Sequence, residues 1–177
     1  MEKKLDGQVI LVTGAGRGLG ASFCHVVAAA GASVLALGRD ATALNALLDS
    51  LPGSGHEMVI ADVTDAAAVA AALAGKRCHA VVNNAGIAAT AALHNSPVDE
   101  AKNIIDTNLL GNLWVVQASV PALQAAGGGV IVNIASVLGH RPLPQTGVYA
   151  ASKAAVIQMT RAAAIELAGD NIRVNAL

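Results

Sequence analysis

Short apolar runs alternate with longer mixed stretches along most of the chain. The runs are four or five residues long and rich in Val, Ile and Leu. Such runs are typical of buried strands, and the longer stretches between them favour helices. We therefore predict six strands, at residues 8–12, 33–37, 57–60, 80–83, 130–134 and 172–175.

The predicted helices lie between these strands. Thr64 can cap one that runs through Leu73, and the others cover residues 18–30, 41–51, 98–125 and 149–167. Strands that alternate with helices at this spacing imply a parallel sheet with helices on both faces. No linker or charge run divides the chain. We expect one doubly wound α/β domain over residues 1–177, with ligands bound outside the carboxyl ends of the strands.

Composition and charge narrow the class of protein. The formal net charge is -1 and no basic cluster could follow phosphates, so nucleic acid is not expected as a partner. Cys24 and Cys78 show neither metal nor disulfide spacing, and the N-terminus lacks the apolar run of a signal peptide. We expect a cytoplasmic protein in which Cys24 is a small buried thiol. The 5 histidines show no ligand spacing, and we assign no metal.

One uncharged stretch, from Thr107 to His140, resembles a membrane span at first sight. It contains several Asn and Gln residues, a proline and a Gly-Gly-Gly break. A buried helix, a turn and a buried strand explain it better than a span of a bilayer.

A glycine-rich turn, Thr-Gly-Ala-Gly-Arg-Gly-Leu-Gly at residues 13–20, lies between the first strand and the first helix. Glycine allows close approach of a ligand, and a helix N-terminus offers free N–H groups to an anion. Glycine also serves plain turns, but a strand–turn–helix position favours a pyrophosphate site. The predicted cofactor contacts here are Gly14, Arg17, Gly18, Leu19 and Gly20.

The end of the second strand bears on the choice of cofactor. An acid at this point accepts the ribose 2′-OH of NAD(H), whereas an Arg accommodates the 2′-phosphate of NADP(H). Asp40 stands where the next helix needs an N-cap, which leaves Arg39 for a phosphate, joined by Arg17 from the other side. The residues favour NADP(H), with NAD(H) possible. A surface salt bridge of Arg39 and a solvated loop charge at Arg17 are the alternatives.

Six motifs in order resemble those of the classical short-chain dehydrogenase/reductase family. The glycine turn resembles the family's Thr-Gly-x-x-x-Gly-x-Gly, and the serine of the set precedes its tyrosine by thirteen residues, as in the family. Arg17 and Arg39 resemble the NADP-preferring branch, which includes 3-oxoacyl-carrier-protein reductases. The remaining motifs are Asp62-Val63, Asn83-Asn84-Ala85-Gly86, Asn108, Ser136 and Tyr149-Ala-Ala-Ser-Lys153.

This resemblance implies a Rossmann-type fold and hydride transfer between NADP(H) and a carbonyl or secondary alcohol. The implied catalytic residues are Asn108, Ser136, Tyr149 and Lys153. The implied cofactor contacts beyond the turn and Arg39 are Asp62, Val63, Asn84, Gly86, Tyr149 and Lys153.

The residues themselves support an acid–base role for Tyr149. Tyr149 and Lys153 are four apart and share a helix face. An adjacent ammonium stabilises a phenolate, and tyrosine at its reference pKa of about 10 needs such help near neutral pH. The resemblance adds that Lys153 binds the nicotinamide ribose, Ser136 binds the substrate oxygen, and Asn108 holds a relay water.

The chain ends at Leu177, whereas family members usually continue with a segment that covers the substrate, another helix and a seventh strand. We expect the chain to be poorly stable or weakly active as it stands, because the sixth strand would be an exposed edge. A non-catalytic nucleotide-binding or assembly module is therefore the alternative function, although the catalytic set is complete. An epimerase or dehydratase of the extended branch fits less well, because the glycine spacing is the classical one.

The expected partner is a small carbonyl or alcohol substrate, with no nucleic acid and no membrane. The resemblance also implies a homodimer or homotetramer that forms through the helices at residues 109–125 and 149–167.

Overall fold

A computed structural model of the chain describes residues 4–177, and its centre is one sheet of six parallel strands. The order across the sheet is β3-β2-β1-β4-β5-β6, and it reverses between β1 and β4. This is the doubly wound nucleotide-binding order, so the predicted fold class is confirmed. The strands are β1 (Val9–Thr13), β2 (Ser33–Gly38), β3 (Glu57–Ile60), β4 (Ala80–Asn83), β5 (Gly129–Asn133) and β6 (Ile172–Ala176).

Within the described residues, six α-helices connect the strands. They are α1 (Gly18–Ala29), α2 (Ala41–Ser50), α3 (Ala66–Leu73), α4 (Val98–Ile105), α5 (Gly111–Ala125) and α6 (Gly147–Glu166). Short 3-10 turns occur at Leu93–Asn95, Val137–Gly139 and Ala168–Asp170. The predicted helix at 98–125 is present, but a π-helical turn at Asp106–Leu110 interrupts its regular spacing between α4 and α5.

Of the two helix caps predicted from the sequence, one is confirmed and the other is wrong. Asp40 caps α2 as predicted, since its carboxylate accepts a hydrogen bond from Ala43 N at 3.1 Å. The prediction that Thr64 caps α3 is wrong, because Asp65 accepts from Ala68 N at 2.9 Å and occupies the cap position. Thr64 instead donates its N–H and its hydroxyl to Asp62 Oδ1, which places it in a turn before the helix.

Two apolar clusters lie on opposite faces of the sheet, because successive residues of each strand point to opposite sides. Leu11 faces the cluster formed with α3 and α5, whereas Ile10 and Val12 face the cluster formed with α1 and α2. Cys24 is buried in the second cluster, and burial raises the pKa of its thiol to about 12. The predicted buried thiol is confirmed, and it stays protonated at neutral pH.

The uncharged stretch that resembled a membrane span folds as the π-turn, α5, a glycine turn and β5. Within residues 4–177 no helix has the length and apolar character needed to cross a bilayer.

Candidate active site

The glycine-rich turn forms a tight cradle between β1 and α1. Gly14 and Gly18 have φ values of 63° and 56°, a region that favours glycine. A methyl group on Gly20 would overlap the Gly14 carbonyl oxygen and lie 2.8 Å from Asn84 Nδ2. Helix α1 begins without a side-chain cap, which leaves the N–H groups of its first turn for a ligand. This cradle fits the pyrophosphate of a dinucleotide.

A hydroxyl at the end of β1 ties this cradle to the segment after β4. Thr13 Oγ1 accepts hydrogen bonds from Asn84 N at 3.0 Å and Ala85 N at 2.9 Å, and it donates to Asn83 Oδ1 at 3.3 Å. The Asn84 side chain donates back to Thr13 O at 3.0 Å. Sequence reasoning did not single out Thr13, and its position directly before the first glycine was the available signal.

The residues predicted to contact the adenosine end of the cofactor lie at the ends of β2 and β3. Arg39 Nη1 forms an ion pair with Asp62 Oδ2 at 3.1 Å, and both side chains are partly exposed. Burial raises the pKa of Asp62, but hydrogen bonds from Thr64 and the Arg39 guanidinium outweigh it, and the net pKa is lowered. The structure thus brings two predicted cofactor residues together, and it shows the salt bridge named as the alternative role of Arg39.

The other predicted cofactor residues differ in accessibility. Arg17, Gly18 and Leu19 are exposed on the turn. Val63 is buried, and a methyl group on Gly111 would lie 2.9 Å from Val63 Cγ2. The segment after β3 therefore packs closely against the start of α5.

Helix α6 places Tyr149 and Lys153 on one face, as their spacing predicts. Lys153 Nζ lies 5.8 Å from the centroid of the Tyr149 ring. Lys153 is the only charged side chain buried within the described residues, at 5% exposure, and Nζ donates to Ile134 O at 2.7 Å. Burial lowers the pKa of Lys153, because a low-dielectric environment disfavours the ammonium form.

Asn108 lies in the π-turn and is 1% exposed. Its side chain accepts from Ile87 N at 2.8 Å and donates to Ile87 O at 2.9 Å. Gly86 separates Asn108 from Lys153, since a methyl group on Gly86 would lie 3.3 Å from Asn108 Oδ1 and 3.5 Å from Lys153 Nζ. Three of the predicted site residues therefore meet at the carboxyl end of β4.

Ser136 follows β5 and caps the 3-10 turn at Val137–Gly139, accepting a hydrogen bond from Leu138 N at 3.1 Å. This turn packs on α6, because a methyl group on Gly139 would lie 2.9 Å from the backbone carbon of Lys153. The loop that carries Ser136 is thereby held against the helix that carries Tyr149. Nothing in the sequence alone pointed to Gly139 as the contact that does this.

Comparison with known proteins identifies the family. Residues 8–177 match the sequence model of the family described as short chain dehydrogenase. The chain belongs to the short-chain dehydrogenase/reductase family. Its members bind NAD(P), and the curated relatives of this chain are dehydrogenases and reductases, so the protein is an oxidoreductase of the hydride-transferring type.

Curated relatives of this short-chain dehydrogenase/reductase include a galactitol 2-dehydrogenase (L-tagatose-forming) of Cereibacter sphaeroides. It is 41% identical over 98% of this chain and 71% of its own length. A 3-oxoacyl-[acyl-carrier-protein] reductase of Thermotoga maritima is 38% identical over 98% of this chain and 74% of its own length.

Solved structures of the family share the fold. A short-chain type dehydrogenase/reductase from Mycobacterium marinum superposes with a TM-score of 0.91 at 35% identity, over 98% of this chain and 72% of that one. A protein described as an NAD(P)-dependent gluconate 5-dehydrogenase from Beutenbergia cavernae, with NADP bound at low occupancy, gives a TM-score of 0.89 at 36% identity. That match covers 99% of this chain and 73% of that one.

Proposed function

We propose that the protein is an NADP(H)-dependent carbonyl reductase or alcohol dehydrogenase in which Tyr149 is the general acid and base. The proposal rests on the convergence of Asn108 and Gly86 on Lys153, whose Nζ lies 5.8 Å from the centroid of the Tyr149 ring. These groups stand at the carboxyl ends of β4 and β5, next to the point where the strand order reverses. Ligands of doubly wound sheets bind at that point.

The glycine cradle and the N-terminus of α1 would hold the cofactor, which supplies or accepts the hydride when bound. The Tyr149 hydroxyl gives its proton to the carbonyl oxygen in reduction and takes it back in oxidation. The buried Lys153 ammonium is the nearby positive charge that would favour the phenolate left behind, because opposite charges attract and solvent screens a buried group poorly. The Ile134 carbonyl holds that ammonium in place.

Ser136 is suited to bind the substrate oxygen. Its Oγ already accepts a backbone hydrogen bond from Leu138. The hydroxyl proton therefore stays available for donation to a carbonyl or alcohol oxygen. The relay water assigned to Asn108 remains part of the proposal.

Preference for NADP(H) rests on Arg39. The guanidinium has five N–H donors, and the ion pair with Asp62 uses the Nη1 end. The side chain is 70% exposed, so the remaining donors can meet a 2′-phosphate without disrupting the pair. Gly38 has no side chain to exclude the phosphate, and Arg17 is exposed on the neighbouring turn. The NADP found in a structural neighbour of this chain agrees with this preference.

The test is a titration of NADPH and NADH, followed by turnover with a panel of carbonyls and alcohols. The panel includes galactitol, after the name of one of the relatives. We expect Tyr149→Phe to bind NADPH normally and to lose turnover by about 10²–10⁴-fold, the usual contribution of general acid–base catalysis.

Two outcomes would change the assignment. NADPH binding with turnover that does not depend on Tyr149 would favour the second candidate, a non-catalytic nucleotide-binding or assembly module. NADH binding tighter than NADPH would overturn the role of Arg39.

A further inference from the structure

A buried hydroxyl joins the catalytic helix to the π-turn. Ser152, which directly precedes Lys153, is 0% exposed. Its Oγ donates to Tyr149 O at 2.7 Å and accepts from Asn108 Nδ2 at 3.1 Å. The hydroxyl proton is committed to the Tyr149 carbonyl, so the oxygen lone pairs are directed at the Asn108 amide.

The contact with Ser152 uses part of the hydrogen-bonding capacity of the Asn108 side chain. A side-chain amide has two N–H donors. In Asn108 one donor is used by Ile87 O and the other by Ser152 Oγ, while Oδ1 accepts from Ile87 N. Ser152 is therefore the contact that links the Asn108 side chain to α6, whereas the other two bonds link it to the segment after β4.

The position of this link matters for the chemistry. The same hydroxyl bonds the backbone of Tyr149, lies one residue from Lys153, and orients Asn108. Asn108 Oδ1 and Lys153 Nζ both border the space above Gly86. A change in the Asn108 orientation would therefore change the surroundings of the Lys153 ammonium.

We propose that Ser152 is a positioning residue of the active site, whose hydroxyl keeps Asn108 in register with Tyr149 and Lys153. The inference rests on the proposed function, because it assigns Ser152 a role in proton transfer by those residues. Ser152 touches neither the substrate nor the cofactor in this role, and it acts through its three neighbours.

The chain offers a matched control in Ser119 on α5. Ser119 is 2% exposed, and its hydroxyl donates to Val116 O, three residues earlier, at 3.1 Å. Ser152→Ala and Ser119→Ala thus remove the same buried atom and the same local bond. Only Ser152→Ala also removes the bond to Asn108.

The experiment compares wild type, Ser152→Ala, Ser119→Ala and Tyr149→Phe. For Ser152→Ala we expect kcat to fall about tenfold to a hundredfold, the cost of a small misplacement in an active site. KM and the Kd for NADPH should stay within about twofold, since geometry changes rather than ground-state binding. The pH profile of alcohol oxidation should shift, because the surroundings of the Lys153 ammonium change with the orientation of Asn108. Ser119→Ala should match wild type in all of these measurements.

Hydrogen exchange of the protein without cofactor gives a second readout. The Ile87 N–H is held by Asn108 Oδ1, so its exchange should accelerate in Ser152→Ala and not in Ser119→Ala. Ser152→Cys, which keeps a weak donor and acceptor, should restore part of kcat. It also serves as the variant to measure if Ser152→Ala does not fold.

The outcomes separate the two proposals. Equal losses of thermal stability in both alanine variants, with kcat and the pH profile unchanged, would show a merely structural serine and overturn this inference. Turnover by Tyr149→Phe at the wild-type rate would overturn the proposed function instead.

Discussion

Substitution of Gly20 by alanine tests the geometry of the cofactor cradle. The new methyl group would overlap Gly14 O and lie 2.8 Å from both Gly14 C and Asn84 Nδ2. Two of these three atoms belong to the backbone of the turn, so no flexible side chain can relieve the clash. We estimate that the turn must open by about 1 Å.

Two energetic effects oppose each other in this variant. Overpacking typically costs about 1–3 kcal/mol, whereas Gly→Ala inside a helix gains about 1 kcal/mol. Gly20 lies in the first turn of α1, so the helix gain offsets only part of the clash. We expect a net loss of up to about 2 kcal/mol in the free energy of unfolding.

The effect on the cofactor should be larger than the effect on stability. A displacement of about 1 Å in a positioning element costs about a hundredfold in function. We therefore expect the Kd for NADPH to rise by tenfold or more, measured by fluorescence titration beside urea unfolding. Gly169→Ala is the control, because nothing lies within 4 Å of its added methyl group and it lies in a 3-10 turn outside the cradle. Gly20→Ala with wild-type affinity and stability would refute the reasoning.

The remaining predictions concern charge and assembly. Arg39→Ala should raise the Kd for NADPH by about tenfold or more, since charge-assisted hydrogen bonds contribute about 1.5–3 kcal/mol. The Kd for NADH should stay within about twofold of the wild-type value. Equal losses of affinity for both cofactors would contradict the phosphate role of Arg39. Lys153→Met should abolish turnover. In the wild type, the free energy of unfolding should rise between the lowered pKa of Lys153 and about pH 10.4, because the unfolded state binds more protons there. Lys153→Met should lack this rise, and a wild-type pH profile of stability in the variant would contradict the reasoning. We also propose that the chain forms the homodimer or homotetramer that the family resemblance implies, through residues 109–125 and 149–167. Sedimentation at micromolar concentration should then show a species larger than the monomer.

Local features of the sequence predicted the first and last residues of most strands and helices to within one or two positions. The β3 and β4 strands begin and end at the predicted residues. Asp40 caps α2 because a carboxylate before an apolar stretch has little other local use. Thr64 failed as a cap because two aspartates flank it, one of which captures its N–H and hydroxyl while the other caps the helix.

The sequence alone did not predict the π-turn at Asp106–Leu110. The chain there has the periodicity of an ordinary helix, and the change of spacing accompanies the close packing of Gly111 on Val63. Val63 is nearly fifty residues away in the sequence, so no local pattern reports it. The same limit applies to Gly139, whose contact with α6 holds the Ser136 loop in place.

By itself the sequence determined the order of strands and helices and the kinds of group that stand at the strand ends. Those properties follow from periodicity, capping and turn chemistry, which act over a few residues. Only the tertiary structure decided that the Asn108 amide is engaged by Ile87 and Ser152, which lie 21 and 44 positions away. Such pairings arise when helices pack on the sheet, and packing depends on the whole arrangement of side chains between them.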